Sequence, residues 1–243
     1  MKRIPSSRIA VIFSLAFAAG TASQARAEDA AEILDRLDAS MAFTECEMRI
    51  SFEDLKASGA RRKLGADIVY AKDSGTLIAF TAPAREKGKK MLMIGDSMWM
   101  SVPGVSKPLR LSGKDAFMGT AFTNDDIMNF DKADDYSATI TASDEGAWTL
   151  DLAARKKSLP YQRARIVVGR DFLPLRQELY LLSGELAKTI EFSEARDFGS
   201  KRRPSTMRVS DAMSRGAATI VRFESITEKS VDRSRLSPER FMR

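Results

Sequence analysis

Of the twelve methionines in this chain, six fall between residues 91 and 128: Met91, Met93, Met98, Met100, Met118 and Met128. Thioether side chains are apolar, polarizable and flexible, so a group of them makes a surface that adapts to apolar partners of varied shape. Within that block Met91-Leu92-Met93-Ile94 is apolar at every position, and so is Met98-Trp99-Met100. A strand of that kind needs apolar surroundings on both faces, unlike the usual one-sided antiparallel strand. Two arrangements meet that need: a thick core with a helix over it, or an apolar cavity on the concave face of a curved sheet. Composition does not separate them.

The remaining side-chain chemistry is narrow. The chain has no histidine, which excludes Ser-His-Asp and Cys-His catalysis, histidine-ligated metals and an imidazole base. It has one cysteine, Cys46, which excludes an intramolecular disulfide and any multi-cysteine metal site. Cys46 alternates with Met48 and Ile50 on an apolar face and reads as a buried structural thiol. Asp125, Asp126, Asp131, Asp134 and Asp135 do not have the spacing of an EF-hand and read as a solvated acidic loop with a helix N-terminus. No pair of carboxylates is singled out for glycoside hydrolysis and no phosphate-cradling glycine loop is present. Lys201-Arg202-Arg203 and residues 233–243 are short basic clusters that read as solvated faces, with docking onto an acidic partner or anionic headgroup as the alternative. No aromatic-interleaved nucleic-acid motif accompanies them. These counts predict no cofactor, no metal site and no nucleic-acid partner.

The elements that must position the methionine block follow from periodicity. Residues 28–41 carry Ala31, Ile33, Leu34, Leu37 and Met41 at helical spacing. From Cys46 onward the period changes to two, and short turns at Gly59, Asp73-Ser74-Gly75 and Gly95-Asp96-Ser97 mark hairpins between antiparallel neighbours. Residues 112–135 lack strand alternation, and Thr123 with Asp126 resembles a capping box. Strands resume at residue 135 and run to residue 227, and Pro238 opens a last helical fragment. The pattern predicts an α+β, mainly β, fold: a single curved antiparallel sheet of about 10–11 strands forming an incomplete, half-open barrel. A sheet of that many strands has to curl.

Residues 1–27 have the three parts of a secretory signal: Lys2, Arg3 and Arg8, an apolar run too short to span a bilayer, and Ala25-Arg26-Ala27 as a cleavage site. The expected division is a cleaved signal peptide, 1–27, and one domain, 28–243, exported to a bacterial periplasm and soluble there. The net charge of +6 loses its meaning at that cut, since 28–243 holds 35 basic against 33 acidic residues. The remainder is uneven, with 15 basic and 22 acidic residues in 28–154 and 20 against 11 in 155–243.

Ile94-Gly95-Asp96-Ser97-Met98-Trp99-Met100-Ser101-Val102-Pro103, followed by Leu109 to Gly113 and by Ala116 to Asp126, resembles segments of the LolA-like outer-membrane lipoprotein-sorting family. Tyr161 to Arg165, Leu173-Pro174-Leu175-Arg176 and Leu186 to Phe192 extend the resemblance over nearly all of the chain after the signal. It implies a periplasmic carrier whose half-barrel has its hydrophobic concavity covered by helices, and which binds acyl chains of a lipoprotein or another lipid without covalent chemistry. Delivery toward the outer membrane and an inner-membrane RND-type transporter as partner are implied in the same way, and the expected working unit is a monomer. On that basis the candidate cavity lining is Met91, Met93, Met98, Trp99, Met100 and Phe117, and the candidate lid or hinge is Met118, Gly119, Phe122, Ile127 and Phe130. A lipid-free exporter accessory protein and, behind it, a hydrolase remain as alternative functions.

Overall fold

The computed structural model describes residues 29–124, 126, 133–214 and 216–242, so the expected signal segment lies outside the described residues. Helix α1 (Ala30–Met41) comes first. Its start is set by Asp29, whose Oδ1 accepts from Ala31 N at 3.0 Å, and its buried stripe is Ile33, Leu34 and Leu37. Among the described residues thirteen strands follow: β1 (Glu45–Leu55), β2 (Arg61–Ala71), β3 (Gly75–Ala82), β4 (Lys90–Ile94), β5 (Ser97–Ser101), β6 (Leu109–Arg110), β7 (Tyr136–Ser143), β8 (Ala147–Ala154), β9 (Arg163–Gly169), β10 (Pro174–Tyr180), β11 (Leu186–Phe198), β12 (Lys201–Asp211) and β13 (Ala218–Glu228). A four-residue helix, α2 (Pro238–Phe241), closes the described chain. No helix among the described residues is long and apolar enough to cross a membrane.

All thirteen strands form one antiparallel sheet in the order β6-β5-β4-β3-β2-β1-β13-β12-β11-β10-β9-β8-β7. The expectation of about 10–11 strands falls short, in part because β6 is only two residues long and carries no alternation to read. The sheet is curved and does not close, since its two edges, β6 and β7, do not pair. Those edges are consecutive in sequence. The link between them therefore has to pass from one side of the sheet to the other, and this is why residues 112–135 lack strand periodicity.

The inner face carries two apolar clusters. One joins β1–β5 to β12 and β13 and includes Phe52, Ile78, Met91, Val221 and Phe223; the other packs Ile33, Leu34 and Leu37 of α1 against Leu150, Leu152 and Ile166. A third cluster lies on the outer face, where Val231 and Leu236, in the turn of 3₁₀ helix (Arg233–Leu236) and the chain before it, cover Val69, Leu77 and Leu92. The doubly apolar strands are thereby explained by cover on both sides: Met91 and Met93 face inward and Leu92 faces outward, all three at most 3 % exposed. Registry supports this, with Met91 opposite Ile78 and Met100, and Leu92 opposite Leu77 and Trp99.

The β2–β3 hairpin brings β3 close against β4 at one glycine. Gly75 has φ +128°, and a Cβ there would lie 2.4 Å from the Met93 carbonyl oxygen. Gly59 also has positive φ, +83°, but no atom stands within 4 Å of its Cβ position. Gly75→Ala is expected to cost more stability than Gly59→Ala by about 1–3 kcal/mol, read from urea unfolding midpoints. Equal losses would show that the close approach at Gly75 is not a constraint.

Candidate functional site

The inner face of β1, β2, β3, β12 and β13 does not close completely. It leaves an apolar cleft of about 90 Å³, partly open to solvent. Met48, Ile50 and Phe52 line it from β1, Ile68 and Tyr70 from β2, Ile78 from β3, Met207 from β12, and Val221 and Phe223 from β13. Alternation along each strand puts these residues on one face. Met41, Ala42 and Phe43, at the end of α1, form the remaining wall. A second, smaller cleft of about 70 Å³ shares Met41 and Met207 with the first and continues past Phe122, Ile166, Ile190 and Phe192. Two flexible thioethers thus divide one apolar trough that runs along the inner face between α1 and the edge-to-edge link.

The link is fastened where it crosses the sheet. Residues Phe117–Gly119 form a turn of 3₁₀ helix, with Met118 at φ 50° and Gly119 at φ +71°. Two successive left-handed residues turn their carbonyls to the sheet, where Arg62 donates to Met118 O and Lys56 donates to Gly119 O. Both cations gather on Asp54, which is 2 % exposed: its Oδ2 lies 3.0 Å from Lys56 Nζ and 3.6 Å from Arg62 Nη2. Asp54 Oδ1 accepts from Thr219 Oγ1 at 3.1 Å, and Thr219 Oγ1 accepts from Ala121 N at 2.9 Å. Phe117 fills the space beneath, its ring 5.4 Å from Phe52 and 6.1 Å from Phe80.

Further along, the capping box read from the sequence is present: Thr123 N donates to Asp126 Oδ2 at 2.6 Å and Asp126 N to Thr123 Oγ1 at 3.3 Å. Asp126 is not part of a solvated loop, however. Its side chain is 6 % exposed, pairs with Lys188 of β11, and accepts from Tyr161 Oη at 2.9 Å. Burial, together with the adjacent Asp126 carboxylate, raises the Tyr161 phenol well above its ordinary pKa and keeps it a donor. This buried cluster ties the link to the far half of the sheet.

In the basic run at residues 201–203 Arg202 is exposed as expected, but Lys201 and Arg203 are not on a solvated face. Lys201 Nζ donates to Ala39 O at 2.7 Å and to Ala42 O, and Arg203 Nη1 donates to Met41 O at 2.9 Å. Together they satisfy carbonyls at the C-terminal end of α1 and complement its dipole. Arg203 is 4 % exposed and stands over the rings of Phe223 and Phe43, 4.6 and 5.7 Å from their centroids. Cys46 lines the same end of the cleft, fully buried, and burial pushes its thiol up to about 11.

Of the candidate lining, Met91, Met93, Met98 and Phe117 lie in the inner core and Met100 packs against it. They sit beside the two clefts and are among the lining of neither. Trp99 is on the outer face with Leu92, because a period of two places it opposite to Met98 and Met100. Of the candidate lid, Met118 and Gly119 form the anchored turn and Phe122 lines the second cleft, while Ile127 and Phe130 lie outside the described residues. The sequence reading missed Phe43, Tyr70, Met207, Val221, Phe223 and Arg203. The signal for Arg203 was available as alternation, since Arg203, Ser205, Met207 and Val209 fall on one face of β12 and the first of them is charged.

Removing one partner of a buried ion pair leaves the other charge unmatched, at a cost of about 3–5 kcal/mol. Lys188→Met is therefore expected to lower unfolding free energy by that order, and the double variant Lys188→Met/Asp126→Leu to recover part of the loss. Urea denaturation measures both, and a Lys188→Met protein as stable as the parent would remove the cluster as a fastening of the link.

The family model that matches the sequence covers residues 72–243 and is described as uncharacterized protein-like. No curated protein matches the chain. Solved structures do: a LolA superfamily protein from Nitrosomonas europaea is 21% identical, with 88% of this chain and 100% of that one covered and a TM-score of 0.76. A DUF1329 family protein from Desulfovibrio piger is 21% identical over 86% of this chain and 96% of that one, with a TM-score of 0.77. A domain named for outer membrane lipoprotein sorting, from Vibrio parahaemolyticus, is 18% identical over 88% and 98%, with a TM-score of 0.72. These likenesses agree with the resemblance carried by the segment around Trp99 and by Ala116 to Asp126, and they establish the fold. The chain has the LolA-like fold and belongs to the uncharacterized protein-like family whose model spans residues 72–243.

Proposed function

We propose that this protein is a carrier that holds acyl chains of a lipoprotein or another lipid in the inner trough and performs no covalent chemistry on them. The observation that carries the reading is the apolar, solvent-connected cleft of about 90 Å³ walled by Ile50, Phe52, Ile68, Ile78, Val221 and Phe223 on the inner face. Moving a chain into such a space gains about 0.8 kcal/mol for each CH₂ removed from water.

The same reading gives the link between β6 and β7 the role of a lid. Its turn at Met118 and Gly119 rests on carbonyl contacts to Lys56 and Arg62, which rearrange at smaller cost than apolar packing, and makes the hinge. Met41 and Met207 adjust to the width of the chain that lies between the two clefts. With the signal at residues 1–27 cleaved, the carrier works in the periplasm and hands its cargo toward the outer membrane, in keeping with the name of the Vibrio domain. An RND-type transporter is the proposed donor, and the working unit is a monomer.

Native mass spectrometry and organic extraction of the exported protein are expected to reveal bound lipid. Val221→Phe, which fills the cleft, is expected to lose most of it, while Leu182→Phe at an 85 % exposed position retains it. Protein that yields no lipid from its native compartment would contradict the carrier and leave the lipid-free exporter accessory as the better reading.

A further inference from the structure

We propose that Arg203 anchors the carboxylate of a long-chain fatty acid whose alkyl tail lies along the inner cleft. The proposal rests on the carrier reading and names the class of ligand.

Arg203 is the charged residue in the lining of that cleft. A guanidinium carries five N–H donors, and burying its charge is costly unless an anion or several acceptors surround it. Here the described residues supply one acceptor, Met41 O at 2.9 Å, and the faces of Phe223 and Phe43. Nε is buried and has no hydrogen-bond partner. No carboxylate among the described residues forms an ion pair with Arg203, although this chain pairs many of its other arginines. A buried cation with an unpartnered Nε, in the lining of an apolar cleft, is a half-made site.

The local charge points the same way. The C-terminal end of α1 carries a partial negative charge of about half an elementary unit. Lys201 and Arg203 both attend to that end, so two full positive charges answer a fraction of one negative charge.

Shape selects the anion. A carboxylate is planar and accepts from two parallel donors of a guanidinium, which Nε and a neighbouring Nη present. The guanidinium lies among Phe43, Phe223 and Met41, so whatever binds it must also be small enough to leave water there. A free fatty acid brings nothing beyond the carboxylate and its tail. A phosphodiester headgroup is tetrahedral and carries a polar substituent that would have to be buried as well. From Arg203 the tail runs along the strands past Ile50 and Val221 to Phe52, beneath the turn at Phe117.

The test measures binding of palmitate, 1-hexadecanol and hexadecyl phosphate to the exported full-length protein, each below its aggregation limit, at mildly alkaline pH. Palmitate is expected to bind at least about tenfold more tightly than hexadecanol, the order expected for a buried charged hydrogen bond. Arg203→Gln should abolish that preference, with Arg203→Lys restoring part of it. Equal binding of palmitate and hexadecanol by the parent protein would overturn the proposal, leave the carrier intact and reduce Arg203 to a clasp for α1. Tighter binding of hexadecyl phosphate would overturn the carboxylate assignment. Failure of all three to bind would overturn the carrier and the anchor together. The comparison of ligands on the parent protein decides the matter even if Arg203→Gln does not fold.

Discussion

Because β6 and β7 are neighbours in sequence and opposite edges of the sheet, the chain between them has to bridge the open side of a curved sheet. Most of what is distinctive here depends on that constraint. The bridge needs fastening points that a continuous strand would not, and they are polar: Asp54, Lys56 and Arg62 near one end of β1 and β2, Thr219 of β13, and Lys188 with Tyr161 on the far half. Among the described residues the bridge adds apolar contacts chiefly through Phe117 and Phe122. The same sheet is sealed on its outer side by an ordinary apolar contact, Val231 and Leu236 against Leu92 and Leu77. One face is closed by packing and the other by hydrogen bonds and ion pairs.

The other end of the trough is organised by α1. Its apolar stripe docks on the β7–β11 half, and its last carbonyls are held by Lys201 and Arg203 at the start of β12. The helix thus spans from one half of the sheet to the other, and its final residues Met41, Ala42 and Phe43 form a wall of the larger cleft. Cation and aromatic side chains meet there: Arg203 over Phe223 and Phe43, Lys201 over Phe43. The stacking offsets part of the cost of burying the guanidinium, but it does not use the in-plane donors.

How much of this was legible in the sequence depends on the range of the interaction. Local periodicity was sufficient for α1, for the strands with one buried face and for the capping box of Thr123 and Asp126, because each is decided within a few residues. Curvature followed from strand count. Which methionines would face a cavity did not, because that depends on β1 pairing with β13 from more than 150 residues away, which puts β1 at the middle of the sheet and β4 and β5 near its edge. The Met91 to Met100 block therefore became core, while Met48, Met207 and Phe223 became cleft wall. Leu92 and Trp99 needed a partner on the outer face, and the C-terminal segment that supplies it has no pattern that announces its destination. Asp126, Lys201 and Arg203 read as solvated charges because charge in a sequence carries no record of what tertiary contact will cover it.

The central claim is that acyl chains occupy the inner trough beneath the link. Photo-crosslinking with a palmitate bearing a diazirine near the end of its tail, followed by peptide mapping, tests it most directly. Adducts on the inner face of β1 and β13, at Ile50, Phe52, Val221 and Phe223, are the predicted result. Adducts confined to the outer face around Leu92, Trp99 and Leu236, or none above the level of unfolded protein, would contradict it.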